Sequence, residues 1–187
     1  MSDVLLLTGS PGSGKTTVAA LVATDAARPT VHLTTDEFFR AIRTGFIPPY
    51  LPEAHRQNEV VVDAIVAAVA EYARGGYDVV VDGIIGPWFL PPYRKAAAEG
   101  EWRMSYVVLR PDLDTTLDRA RRRADTELKD IDAITGLYGA FANLDDLENH
   151  VIDTTHLDAA QTAAAVREAV ASGNYLLSAG TTGPRSE

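Results

Sequence analysis

The eight residues Gly9-Ser10-Pro11-Gly12-Ser13-Gly14-Lys15-Thr16 constrain this chain more than any other stretch of it. They fit the pattern G-x-x-x-x-G-K-[ST] in full, and the pattern has a physical basis. Its glycines let the loop wrap so that backbone N–H groups turn inward onto phosphate oxygens. A helix that starts near the lysine aims its positive end at the same point. The lysine reaches the β- and γ-phosphates of a nucleotide, and the threonine hydroxyl meets Mg²⁺. The motif needs a buried strand before it and a helix after it. Val4-Leu5-Leu6-Leu7 reads as the strand, and the breaker-free stretch from Lys15 to Ala27 reads as the helix. The expected nucleotide-binding set is Gly9, Ser10, Pro11, Gly12, Ser13, Gly14, Lys15, Thr16 and Thr17. The expected ligands are ATP and Mg²⁺.

Further short apolar runs follow: Val31-His32-Leu33, Val79-Val80-Val81, Tyr106-Val107-Val108-Leu109 and Val151-Ile152. Helical stretches lie between them. Those at Asp36 to Arg43, Glu53 to Arg74, Tyr93 to Ala98, Asp112 to Arg123, Ile131 to Phe141 and Ala159 to Ala171 are the candidates. In the longest, Val61, Ile65, Ala68 and Tyr72 fall on one face, and Gly75-Gly76 ends it. Five apolar strands alternating with helices imply a parallel sheet covered on both faces by right-handed crossovers. The expected architecture is a three-layer α/β/α P-loop NTPase fold with a five-stranded parallel sheet. With 187 residues, 46% of them apolar, the chain fits one domain, expected over 1–177. The small polar residues 178–187 are expected to be a disordered tail.

Composition narrows the function classes. Against 26 acidic residues stand 17 basic ones, a formal charge of −9. Phosphate backbones need a basic surface, so a nucleic-acid partner is not expected. The absence of cysteine excludes disulfides and thiolate chemistry. No apolar run is long enough for a membrane span, and Met1-Ser2-Asp3 lacks a basic n-region, so a cytoplasmic protein is expected. His32, His55, His150 and His156 show no metal spacing and read as ordinary surface or strand positions. Only three residues are lysine, against fourteen arginines, which sets Lys15 apart.

Two carboxylates follow strands. Asp82 ends Asp78-Val79-Val80-Val81-Asp82, at the sheet edge where ligands of parallel sheets bind, and is read with Thr16 as a metal-site residue. Asp36 follows the second strand and is read as the group that takes the proton of an acceptor hydroxyl; its other reading is a helix N-cap, and the two are not exclusive. Arg40, one turn on, would meet an anionic acceptor or pair with Asp36. Arg119, Arg121, Arg122 and Arg123 cluster on one helix; their repulsion is offset either by a bound anion or, on a solvated face, by Asp112, Asp114 and Asp118. Arg119 and Arg123 share a face. One would stack on adenine and the other would stabilise the transferring phosphoryl group.

On these residues, from 3 to about 172, the chain resembles the small P-loop kinases related to gluconate kinase, shikimate kinase and chloramphenicol phosphotransferase. The resemblance rests on Gly9 to Thr16, Asp36, Asp82-Gly83 and the R-x-x-x-R at Arg119 and Arg123. It implies a helical lid over about 117–142, and an adenine contact from the loop Asp153-Thr154-Thr155-His156, taken here as Thr155. Shikimate kinase pairs two acidic residues after its second strand; Thr34 replaces the first here, so shikimate is not expected. The arginine pattern of nucleoside monophosphate kinases cannot be placed. Arg40, Tyr50, Gly83 and Trp88, with Asp36, are the expected acceptor contacts, and the aromatic residues fit an aromatic or drug-like alcohol. Lys15, Asp36 and Arg123 are the expected catalytic residues. The activity implied is transfer of the γ-phosphate of ATP to a hydroxyl of a small molecule. The alternatives are a polynucleotide 5′-hydroxyl kinase, or a nucleotide-binding regulator or slow ATPase without an acceptor. Oligomeric state is not legible.

Overall fold

The computed structural model describes residues 1–122 and 130–177. The expected tail at 178–187, the central part of the expected lid and Arg123 lie outside the described residues. Five strands form one sheet: β1 (Asp3–Thr8), β2 (Thr30–Thr34), β3 (Asp78–Asp82), β4 (Arg103–Leu109) and β5 (Val151–Ile152). Their order is β2-β3-β1-β4-β5, and every neighbouring pair is parallel. The helices are α1 (Lys15–Thr24), α2 (Thr35–Arg40), α3 (His55–Arg74), α4 (Leu90–Gly100), α5 (Leu113–Arg121), α6 (Ile131–Gly139) and α7 (Ala159–Ser172).

Alternate residues of each strand serve opposite cores. Val4, Leu6, Val79, Val81, Met104, Tyr106 and Val108 pack toward α3 and α4. Leu5, Leu7, Val80, Val107 and Leu109 pack toward α1 and α7. Both faces are covered, which is why the strands read as unbroken apolar runs. The chain therefore has the three-layer P-loop NTPase fold that its pattern implies.

Several boundaries differ from the pattern, each for a local reason. Pro91 and Pro92 lie inside α4, in its first turn, where an N–H has no intrahelical acceptor to lose. The buried stripe of α3 is Asn58, Val61, Val62, Ile65, Val69 and Ala73. Tyr72 is left 42% exposed, edge-on to Tyr77 with ring centroids 6.0 Å apart. Where α3 sits on the sheet decides this, and periodicity alone cannot. β5 reaches only Val108 and Leu109 of β4. The rest of that edge is covered by the segment after α7, where Tyr106 N donates to Tyr175 O (2.9 Å) and Leu177 N to Met104 O (2.8 Å). An edge strand left bare would invite pairing with another chain.

Candidate active site

The carboxyl ends of β1, β2 and β3 open onto one cleft of about 1610 Å³. The loop between β1 and α1 forms one end of it. Gly9, Gly12 and Gly14 have φ of 146°, 90° and 88°, a region that favours glycine. A Cβ at Gly9 would overlap Leu109 O, and one at Gly12 would overlap Thr116 O, so the loop backbone lies against β4 and α5. Gly14 is the N-cap of α1, no side chain caps this end, and no acidic residue occupies its first turn. The first N–H donors of a ten-residue helix are thus not taken by a side chain of the protein. Lys15 is only 6% exposed, and its Nζ donates to Ser10 O at 3.3 Å.

Asp82 is the hub of the cleft floor and is 1% exposed. Thr16 Oγ1 donates to its Oδ2 at 2.6 Å. Thr34 Oγ1 donates to its Oδ1 at 3.0 Å, and His32 Nε2 lies 2.7 Å from the same atom. A carboxylate only accepts, so that histidine nitrogen carries the proton. Burial by itself would raise the Asp82 pKa, but the hydrogen bonds from His32, Thr16 and Thr34 and the nearby imidazole bring it below the usual carboxylate range. Thr34 and Asp82 are register partners on adjacent strands, and His32, two residues before, shares their face. His32 is therefore not the ordinary strand position expected. Its signal was the spacing His32-x-Thr34 on a strand that pairs with β3, which sequence alone does not disclose.

A hydroxyl and an ionised carboxylate 2.6 Å apart are hard oxygen donors of the type Mg²⁺ prefers when substrate phosphates and water supply its other ligands. Among the described residues no group of three or more His, Cys, Asp or Glu could hold a metal by itself. The donor set thus fits a cation held jointly with phosphate and does not fit a self-contained metal site.

Asp36 lies in the first turn of α2, exposed, and lines the same cleft. It is not the N-cap; Thr34 is, and its hydroxyl goes to Asp82 instead. Arg40 also lines the cleft, but Nη1 donates to Glu37 Oε1 at 2.6 Å, so the pairing with Asp36 is replaced by one with Glu37. Tyr50 and Trp88, 44% and 52% exposed, stand on the rim. Gly83 follows Asp82, and a Cβ there would overlap Thr35 Oγ1. Gly83→Ala should lower stability by roughly 1–3 kcal/mol through overpacking, read from denaturant midpoints. A wild-type midpoint would show that α2 yields freely at this contact.

Arg119 joins the far end of the cleft to the loop after β5. Its Nη2 donates to Thr154 O and Leu157 O, each at 3.1 Å. Thr155 does not line the cleft: its hydroxyl donates to Asp153 Oδ1 (2.6 Å) and accepts from Asp112 N (2.9 Å), tying this loop to the start of α5. Gly9, Ser10 and Ser13 lie behind the loop surface, whereas Pro11, Gly12, Gly14, Lys15, Thr16 and Thr17 line the cleft. Sequence reasoning missed Asn58, Val62 and Ile65 on α3; Tyr93 on α4 also lines it, as do Ala133, Gly136 and Leu137 on α6, which fall within the expected lid. The spacing 58, 62, 65 is one helical face, but a core face and a cleft face look alike in sequence.

Comparison with known proteins agrees with this geometry. The AAA domain family model AAA_33 matches residues 4–138. The cytidylate kinase of Pyrobaculum aerophilum is 31% identical over 161 residues, covering 82% of this chain and 85% of that protein. The Mycobacterium tuberculosis APS kinase, solved with AMPPNP and APS, superposes with a TM-score of 0.68 at 17% identity, over 91% of this chain and 98% of that one. A chain of the Pnkp1/Rnl/Hen1 RNA repair complex superposes with a TM-score of 0.60 at 20% identity. That match covers 74% of this chain and 43% of the other, so this chain spans less than half of that protein's length.

Proposed function

The chain belongs to the AAA domain family of small P-loop kinases, and from that premise we propose that it moves the γ-phosphate of ATP to a hydroxyl of a small molecule. The observation that supports this best is Asp36, an exposed carboxylate on α2 in the cleft that also holds Lys15. A switch or motor ATPase needs a site for water only. Here the cleft extends past Asp36 along α3 and α4 to a second, largely apolar wall.

In this reading Lys15 and the N-terminus of α1 hold the β- and γ-phosphates and neutralise charge as it shifts. Thr16 and Asp82 would hold Mg²⁺, which supplies charge neutralisation at the phosphates. His32 and Thr34 keep the Asp82 carboxylate ionised and aimed at Thr16. Asp36 accepts the acceptor's hydroxyl proton as that oxygen bonds to the γ-phosphorus. The bond from the γ-phosphorus to its bridging oxygen breaks, and ADP leaves. Arg119 borders the nucleotide base, and Arg123, outside the described residues, is assigned to the transferring phosphoryl group from its place four residues on. Residues 1–177 would form one kinase domain, with 117–142 as its lid.

A second reading has a specific observation behind it. The cytidylate kinase relative acts, by its name, on a nucleotide, and Arg40 and Arg43 line the acceptor side. In that case the acceptor oxygen belongs to a phosphate. A 5′-hydroxyl polynucleotide acceptor finds less support, since the charge is −9. Among the described residues no helix is long and apolar enough to cross a membrane. ADP release measured with alcohols, with CMP and with a 5′-hydroxyl oligonucleotide separates the three. Transfer to CMP alone would replace the hydroxyl reading, and hydrolysis that no acceptor accelerates would remove both.

The lid assignment has its own test. Amide exchange in α5 and α6 should slow when AMPPNP and Mg²⁺ are added, as expected for a lid ordered by ligand. Exchange that does not change there would leave the arginine helix a solvated face.

A further inference from the structure

Two residues that line the cleft, neither in the phosphate loop, each carry a buried polar atom with no hydrogen-bond partner. Asn58 on α3 donates its side-chain NH₂ to Pro49 O at 2.7 Å. A carbonyl only accepts, so this bond fixes which way the amide points. Its Oδ1 is left buried and unpaired. Tyr93 on α4 is 1% exposed, and its hydroxyl is likewise buried and unpaired. Burial pushes the phenol well above its ordinary pKa, so it is neutral and offers an O–H. Unpaired buried polar atoms cost the desolvation of the group and need an explanation. Three further such atoms, on Ser13, Thr116 and Thr154, belong to residues that do not line the cleft. Asn58 and Tyr93 do line it.

Their neighbours in the wall define the rest of the surface. Val62, Ile65 and Ile85 are buried and apolar, and Phe89 is partly buried. The charged residues of the cleft lie elsewhere. Lys15 and Asp82 are at the phosphate end, Arg119 on α5 is bonded to Thr154 O and Leu157 O, and Asp36, Glu37, Arg40 and Arg43 are on exposed positions. An anionic group packed against Val62, Ile65 and Ile85 would lose its water to side chains that carry no charge. An apolar body with an uncharged donor and acceptor loses nothing of that kind.

Resting on the phosphotransferase reading above, we propose that Asn58 and Tyr93 are the specificity residues of the acceptor subsite. They select an acceptor whose end remote from the reacting oxygen is flat, apolar and uncharged, and carries both a hydrogen-bond donor and an acceptor, as an amide does. Asn58 Oδ1 takes the donor, and the Tyr93 O–H meets the acceptor. Any charge on the molecule belongs near the rim. A site built to pair a polar group discriminates against analogues that lack it.

Three probes on one framework test this with the full chain: para-hydroxymethylbenzamide, benzyl alcohol and para-hydroxymethylbenzoate. They present an amide, a hydrogen and a carboxylate to the wall. Calorimetric titration in the presence of AMPPNP and Mg²⁺ should show the amide binding about tenfold more tightly than benzyl alcohol, the scale of a net hydrogen bond. The carboxylate should bind most weakly. Tyr93→Phe and Asn58→Leu should each abolish the amide's advantage. Tyr93→Phe should also leave Tm unchanged or raised, because it removes a buried polar atom that the fold does not pair. Asn58→Leu loses the bond to Pro49 as well, so Tyr93→Phe carries the test should that variant not fold. Strongest binding by the carboxylate, no difference between amide and hydrogen, no binding of any probe, or an advantage that survives Tyr93→Phe would each overturn the proposal. ADP release with the amide, measured alongside, keeps the two claims apart. Binding as expected without transfer supports the subsite and counts against the hydroxyl-kinase reading.

Discussion

Lys15→Ala should fold as the wild type does and lose roughly 10²-fold or more in turnover, the scale of removing one preorganised electrostatic contact to a transition state. Lys15 is 6% exposed and sits at the first residue of α1, inside the wrapped loop. Water screens a charge in such a place poorly, so its interaction with phosphate oxygens is stronger than that of a surface lysine. The side chain donates to Ser10 O within its own loop, which orients the ammonium in advance. Little of the fold rests on it, because the loop shape is set by glycines that lie against Leu109 O and Thr116 O. The checks are a thermal melt and a steady-state ADP-release rate on one preparation. A folded Lys15→Ala protein with near-normal ATP-dependent activity would rule out the phosphate cradle.

Asp36→Asn separates a kinase from a bare ATPase. Phosphoryl transfer should fall by about 10²–10⁴, the usual range for a general base. Stability should change by less than about 1 kcal/mol, the size of a first-turn carboxylate's interaction with a helix dipole. The structure sharpens this expectation, because the cap of α2 is Thr34 and the substitution removes no capping bond. ATP affinity should stay near wild type, since Thr16, Asp82 and Lys15 are untouched. Background hydrolysis, which needs only water, should fall less than transfer. Wild-type transfer by Asp36→Asn would show that the proton leaves by another route. Loss of ATP binding would move Asp36 into the metal site.

The two predictions differ in how they became available. Lys15 was legible at once, because eight consecutive residues fit the whole phosphate-loop pattern and each type in it has a geometric duty. The sheet was legible for a similar reason. A strand covered on both faces must be apolar throughout, and five such runs separated by helices leave few topologies. Boundaries were less so: Pro91 and Pro92 read as breakers, yet the first turn of α4 accommodates them.

What sequence determined, then, was the set of features whose cause is local: the loop, the strand pattern, and the carboxylates at two strand ends. Only the tertiary structure decided the features that depend on register and on which helix face meets the cleft. His32 and Thr34 lie 50 and 48 residues from Asp82 and Thr16 lies 66 away, yet all three hydrogen bond to that one carboxylate, because β2 pairs with β3 and α1 crosses above them. Asn58 and Tyr93 sit on helices whose periodicity says only that one face is buried. Whether that face meets core or cavity follows from how α3 and α4 lie against the sheet, and a hydrophobic stripe carries no record of what it will face.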